Sequence, residues 1–337
     1  MSLNLTTTVF FLTSLLTFIP TQSEAQNSST SWQLIEGDDM PHHRHENAFT
    51  NVDNKLYLLG GRGERPVDIY DPETGNWATG ATPPLPMHHF QAVSHDGKIY
   101  VMGALTGGYP DEDPISNVYI YDPASDSWNK GPEIPEDRRR GAAGAVVHND
   151  KFYLVGGIQN GHIDGHVRWF DSFDPQTGEW EHLPDAPRRR DHFQAAIVDG
   201  KLYAAGGRRS SQATGQTFQL TIPEVDVYDF ETGQWTPLSP AGDLPTERAG
   251  TTSISVGNNL VVIGGESGSQ ELAHDEVEAY NPESGEWQAL PPLNTGRHGT
   301  QAVIHDGKIY ISAGSRVRGA EEINSMEILQ IPGSLKQ

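Results

Sequence analysis

Five arginines recur at one register of this chain. Arg44, Arg140, Arg190, Arg248 and Arg297 each stand eleven residues before the lysine or asparagine of a tight turn, and Met87 holds the sixth such position. A second set, Arg62, Arg208, Arg209 and Arg316, follows the next apolar run, and His45, His88, His89, His192 and His298 lie one or two residues after the first register. Guanidinium groups gathered around one opening would hold a carboxylate or sulfate through paired N–H donors. A neighbouring imidazole has a pKa suited to taking the proton beside that carboxylate, while the arginine stabilises the enolate-like transition state. The residue types therefore point to an anion site capable of β-elimination on a uronate. Arg44, Arg140, Arg190, Arg248, Arg297 and Arg208 are the candidate substrate-binding groups, and His192, His89 and His298 the candidate bases. Tyr109, in the insertion TGGYPDEDP, is the candidate acid for a leaving hydroxyl; Glu266 is either a further acid or a counter-charge to an arginine.

The elements that must position these groups are short strands. Arg190 to Arg209 reads RDHFQAAIVDGKLYAAGGRR: an apolar run, an Asp-Gly turn, a second apolar run and a glycine pair, which is a two-stranded hairpin. Arg190 and Arg208 emerge at one end of it and Lys201 at the other. Lys55, Lys98, Lys151, Lys201 and Lys308 all occupy such turns, so the sequence predicts a basic arginine face around a central opening and a lysine face opposite. The unit repeats. Trp32, Trp77, Trp128, Trp180, Trp235 and Trp287 are spaced 45, 51, 52, 55 and 52 residues apart, and glycine pairs recur at Gly60-Gly61, Gly156-Gly157, Gly206-Gly207 and Gly264-Gly265.

A glycine pair after an apolar strand, a tyrosine in the third strand (Tyr70, Tyr121, Tyr228, Tyr280) and a tryptophan soon after resemble the kelch repeat. The resemblance implies an all-β, six-bladed β-propeller with four strands per blade. Units of this size cannot bury an apolar face alone and must stack around an axis, with the tryptophans as wedges between blades. After the last hairpin only one strand remains, Asn324 to Gln330, so Ser31 to Leu34 is expected to return as the outer strand of the final blade and close the ring.

Residues 1–25 contain the apolar run Val9 to Ile19 and end Ser23-Glu24-Ala25, which reads as a signal peptide cleaved near Ala25; residues 26–337 form the single propeller. The run is too short to span a bilayer. Export to the periplasm or beyond is expected, of a monomer. The net charge of −22 argues against nucleic acid and anionic membranes as partners, and the absence of cysteine excludes disulfides and thiolate chemistry. No cofactor and no metal ligand are assigned: His42, His43, His45 and Asp111-Glu112-Asp113 cluster without a diagnostic spacing. The resemblance extends to exported kelch-like enzymes on acidic sugars, lyases or dehydratases of uronate-bearing oligosaccharides and sialic-acid mutarotases. It extends equally to non-catalytic kelch modules that bind glycans or proteins. A galactose-oxidase-type radical site is excluded, because its crosslink needs a cysteine. The expected partner is an anionic, uronate-bearing or sulfated oligosaccharide.

Overall fold

The computed structural model describes residue 1 and residues 31–335, so the expected cleavage near Ala25 lies outside the described residues. Six four-stranded antiparallel sheets succeed one another along the chain. The first contains Asn47–Val52, Lys55–Gly60, Asp68–Asp71 and Asn76–Thr79, in that spatial order. The sixth takes Ala302–His305, Lys308–Ser312 and Met326–Gln330 from one end of the chain and Gln33–Ile35 from the other, with Gln33 opposite Ile328. The closing strand is therefore present, and it joins the two ends of the chain in one blade, which closes the ring. The first strands of successive sheets touch in a closed cycle, the sixth meeting the first, and the result is a six-bladed β-propeller.

Local chemistry explains the blades. In the hairpin turns Asp199-Gly200 (φ 48° and 67°) and Asp306-Gly307 (φ 46° and 69°), both central residues are left-handed, the primed geometry that matches strand twist. Inner strands are packed on both faces: every residue of Asn259–Ile263 is buried, whereas Asn76–Thr79 on the outside is largely exposed. The outer-strand tryptophans act between blades. The indole N–H groups of Trp32, Trp128, Trp235 and Trp287 donate to the carbonyls of Pro291, Ala81, Pro184 and Gly242 of the preceding blade, at 2.9–3.3 Å.

Three insertions break the repeat on one face. Leu105–Thr106 pairs with Asp113–Pro114, and Ile158–Asn160 with Asp164–His166. A third, around residues 208–221, leans on the second through the Gln212 N–H to the His162 carbonyl, while the His162 N–H reaches the Pro110 carbonyl of the first. No helix among the described residues is long and apolar enough to cross a membrane.

Candidate functional site at the channel mouth

Two residues beyond the arginine register stand Glu46, His89, Ala142, His192, Gly250 and Gly299, with φ of 57°, 54°, 51°, 54°, 63° and 65°. All six are left-handed, and their backbones form a closed ring. His89 donates to Glu46, Ala142 to His89, His192 to Ala142, Gly250 to His192 and Gly299 to Gly250; Asn47 completes the circuit by donating to Gly299, over distances of 2.6–3.1 Å. One turn from each blade thus tightens the axis. Holding a glutamate and two histidines at positive φ costs on the order of 1–3 kcal/mol each, a strain that surrounding structure must impose. The space is also close-fitted: a Cβ on Gly299 would fall 2.8 Å from the Glu46 carboxyl carbon.

Next to this ring lies a cavity of about 470 Å³, bordered by Glu46 and His89, by His162 and Tyr109 from the insertions, and by Arg208 and Glu266. Arg62 and Phe218 also line it. His192 lies deeper, behind His162, with their Nε2 atoms 2.9 Å apart. The partners of each imidazole fix its tautomer. His88 Nε2–H donates to the Gly107 carbonyl (3.1 Å), so its Nδ1 accepts from His89 Nδ1–H (2.6 Å) and His89 Nε2 keeps a lone pair. His162 Nδ1–H donates to Glu112 (2.9 Å), which also receives Arg62 (2.7 Å); His192 Nδ1–H donates to Asp191 (2.5 Å), which is held in turn by Ser210. Both therefore also turn Nε2 inward, where the two atoms face each other.

Burial sets the charge states. It pulls His88 and His192 down to about 4, with Arg62 and Arg208 respectively adding to the effect, and it pushes His89 well below its ordinary value. Burial opposes ionisation of Glu266, but His298 and Arg208 outweigh it and bring the carboxyl to about 2. Glu46, Glu112 and Asp191 are lowered in the same sense, burial being outweighed in each case by neighbouring histidines or arginine. Burial thus holds His88, His89 and His192 toward the neutral form, beside carboxylates held toward the ionised form.

The arginines sit elsewhere. Arg44, Arg140, Arg190, Arg248 and Arg297 are fully buried, and each guanidinium turns outward along its own blade. Each donates to the carbonyl sixteen residues on, that of Gly60, Gly156, Gly206, Gly264 or Ala313, and pairs with a third-strand carboxylate: Asp68, Asp171, Asp226, Glu278 or Glu327. The reading of these five as substrate clamps around a basic funnel is corrected: the hairpins do put them near the axis, but each guanidinium is enclosed and charge-paired inside its own blade, with Arg44 Nε and Arg190 Nε unpartnered there, out of a guest's reach. The pairing lies within one blade, not between neighbours. In the second blade Met87 and Tyr119 occupy both positions, and the charge pair is absent as a unit.

Of the other expected groups, Arg208 reaches the mouth, donating Nε–H to Ser210 (2.8 Å) and one Nη to Glu266. Glu266 is its counter-charge. Tyr109 projects half-exposed at the rim, its hydroxyl donating to Gln212 Oε1 (3.0 Å). His298 Nε2–H bonds the Val317 carbonyl (3.0 Å), leaving Nδ1 facing Glu46 at 3.6 Å. Arg316 stays at the surface with Glu321. His162 and Glu46 are the residues that sequence reasoning missed. His162 lies outside the repeat register, and its repeat has the ordinary tryptophan spacing of 52 residues, so nothing in the spacing marked it.

A ring of kelch-like blades with a polar axial mouth defines the class, and comparison with known proteins agrees. The chain belongs to the kelch-repeat family: residues 107–314 match the KLHDC2/KLHL20/DRC7 Kelch-repeats domain. It is 30% identical over 308 residues to Kelch-like protein terF of Aspergillus terreus, covering 86% of this chain and 65% of that protein. It is 26% identical over 278 residues to human Kelch-like protein 23, covering 81% of this chain and 46% of that one. The chain thus spans less than two thirds of the length of these relatives. The solved structure of YjhT superposes with a TM-score of 0.73 at 18% identity, over 88% of this chain and 97% of that one, a likeness of fold.

Proposed function

We propose that this chain is an enzyme that performs proton-transfer chemistry at the channel mouth, of the lyase or dehydratase type, on a small acidic sugar of the uronate-bearing or sulfated kind. One observation carries the reading: buried ionisable groups from five blades converge on a single cavity, where they cost stability that a scaffold alone does not require. Arg208 commits its Nε and one Nη to Ser210 and Glu266, and Arg62 commits one Nη to Glu112. The remaining N–H groups of both are free, among the described residues, to take a guest carboxylate. Tyr109 at the rim and Glu46 at the floor border the same space, and serve as acid and base on the two sides of a sugar ring. We extend the proposal to export through the 1–25 leader and to action as a monomer.

The test is ultraviolet absorbance of a conjugated unsaturated uronate on incubation with uronate oligosaccharides. Tyr109→Phe is expected to lower kcat by roughly 10²- to 10⁴-fold with substrate binding retained. A native chain that binds such oligosaccharides without changing them favours the second reading, a non-catalytic recognition module, which membership of the kelch family supports. Mutarotation or epimerisation of a sialic acid, the third reading, would speed interconversion of the sugar's anomers or epimers, read by proton NMR, without producing an absorbing product.

A further inference from the structure

We infer that His89, His162 and His192 form a binding site for a divalent first-row transition-metal ion, zinc being the type case. All three side chains are buried, and one ring nitrogen of each lies within 4.8 Å of the other two. The hydrogen bonds behind them leave three lone pairs pointing inward, since Asp191, Glu112 and His88 take up the Nδ1 positions. His162 and His192 Nε2 stand 2.9 Å apart, and with both Nδ1 atoms turned to carboxylates that contact requires either a shared proton or a metal ion between the rings. A carboxylate on the far nitrogen of a ligating imidazole is the usual second layer of a metal site, where it fixes the ring and raises its basicity.

Size and charge fit as well. Zinc–nitrogen bonds of about 2.0–2.1 Å at tetrahedral angles place ligand nitrogens about 3.3 Å apart. The observed 2.9 Å and 4.8 Å bracket that spacing, so small ring movements close the set. Around the trio, Glu46, Glu112, Asp191 and Glu266 face Arg62 and Arg208, so four carboxylates meet two guanidinium groups. Two positive charges would balance them. Neutral imidazoles select zinc, cobalt, nickel or copper over magnesium and calcium, which prefer oxygen. His89 and His162 border the cavity of about 470 Å³, which supplies both a route for the ion and an open coordination position. This inference goes beyond the sugar reading and stands without it, since it concerns binding in the absence of any substrate.

The test uses the untagged full chain, stripped with chelator and titrated separately with Zn²⁺, Co²⁺ and Mg²⁺. Expected are uptake of one zinc or cobalt per chain by elemental analysis, visible d–d absorption of the cobalt form, and no magnesium uptake. His162→Asn and His192→Asn should each weaken affinity by about 100-fold or more, and Asp191→Asn or Glu112→Gln by roughly 10- to 100-fold, because those carboxylates only orient the ligands. His43→Ala, on the exposed surface, should leave uptake unchanged. Absence of stoichiometric zinc uptake by the native chain overturns the inference and leaves a shared proton between His162 and His192. Uptake that persists unweakened in His162→Asn and His192→Asn overturns it too. Should those variants fail to fold, histidine ¹⁵N resonances of the native chain decide: three Nε2 signals must move on zinc addition, and unmoved signals refute the site.

Discussion

Two sets of buried charge lie within one turn of each other, and they are built oppositely. At the arginine register, five guanidinium groups each meet a carboxylate and a backbone carbonyl of the same blade, so each charge is met locally. At the mouth, two residues farther along the chain, groups from several blades and from the insertions face one another and leave lone pairs unmet. The first set recurs blade after blade; the second occurs once. The contrast teaches that in a repeat protein a residue found in every unit serves the unit, and chemistry lies where units differ. The second blade makes the point from the other side, having exchanged arginine and acid together for Met87 and Tyr119 without losing its sheet.

The comparison can be broken most severely at a brace. Arg248→Met strands Glu278 in the interior and is expected to cost about 3–5 kcal/mol in chemical denaturation. Adding Glu278→Tyr, which copies the second blade, should recover part of that loss; a double variant as unstable as the single would show that the brace is not a replaceable scaffold device. At the mouth, Gly299→Ala forces a side chain into a left-handed position and against Glu46. A loss of about 1–3 kcal/mol is expected, together with displacement of the carboxylate, which a structure would read, and a fall in the proposed lyase activity. On the far face Lys201→Ala removes a half-exposed pair with Asp229 at 3.2 Å, and no measurable change should follow in the same denaturation experiment.

Much of the scaffold was legible in the residues. Asp199-Gly200 can only reverse a hairpin tightly, glycine pairs mark the end of the second strand in four of the six repeats, and tryptophans spaced by one repeat announce blades and their number. The stretch near Trp32 was recognisable as the closing strand because the last unit lacked one. The site was read less well. Arginine at a common register signalled a shared role, but whether a guanidinium faces the axis or its own blade depends on a carboxylate 24 to 36 residues downstream, which sequence spacing does not reveal.

The amino-acid sequence by itself determined the repeat, the strand order and the ring closure, because these follow from local turn chemistry and from apolar faces too large for one unit to bury. Only the tertiary structure decided which charges are spent and which are available. His162 meets His192, and Glu112 meets Arg62, across gaps of 30 and 50 residues, from insertions that share no register with the repeat. Such meetings arise from how blades are arranged about the axis, and an imidazole's tautomer is set by neighbours that only the folded ring brings within reach.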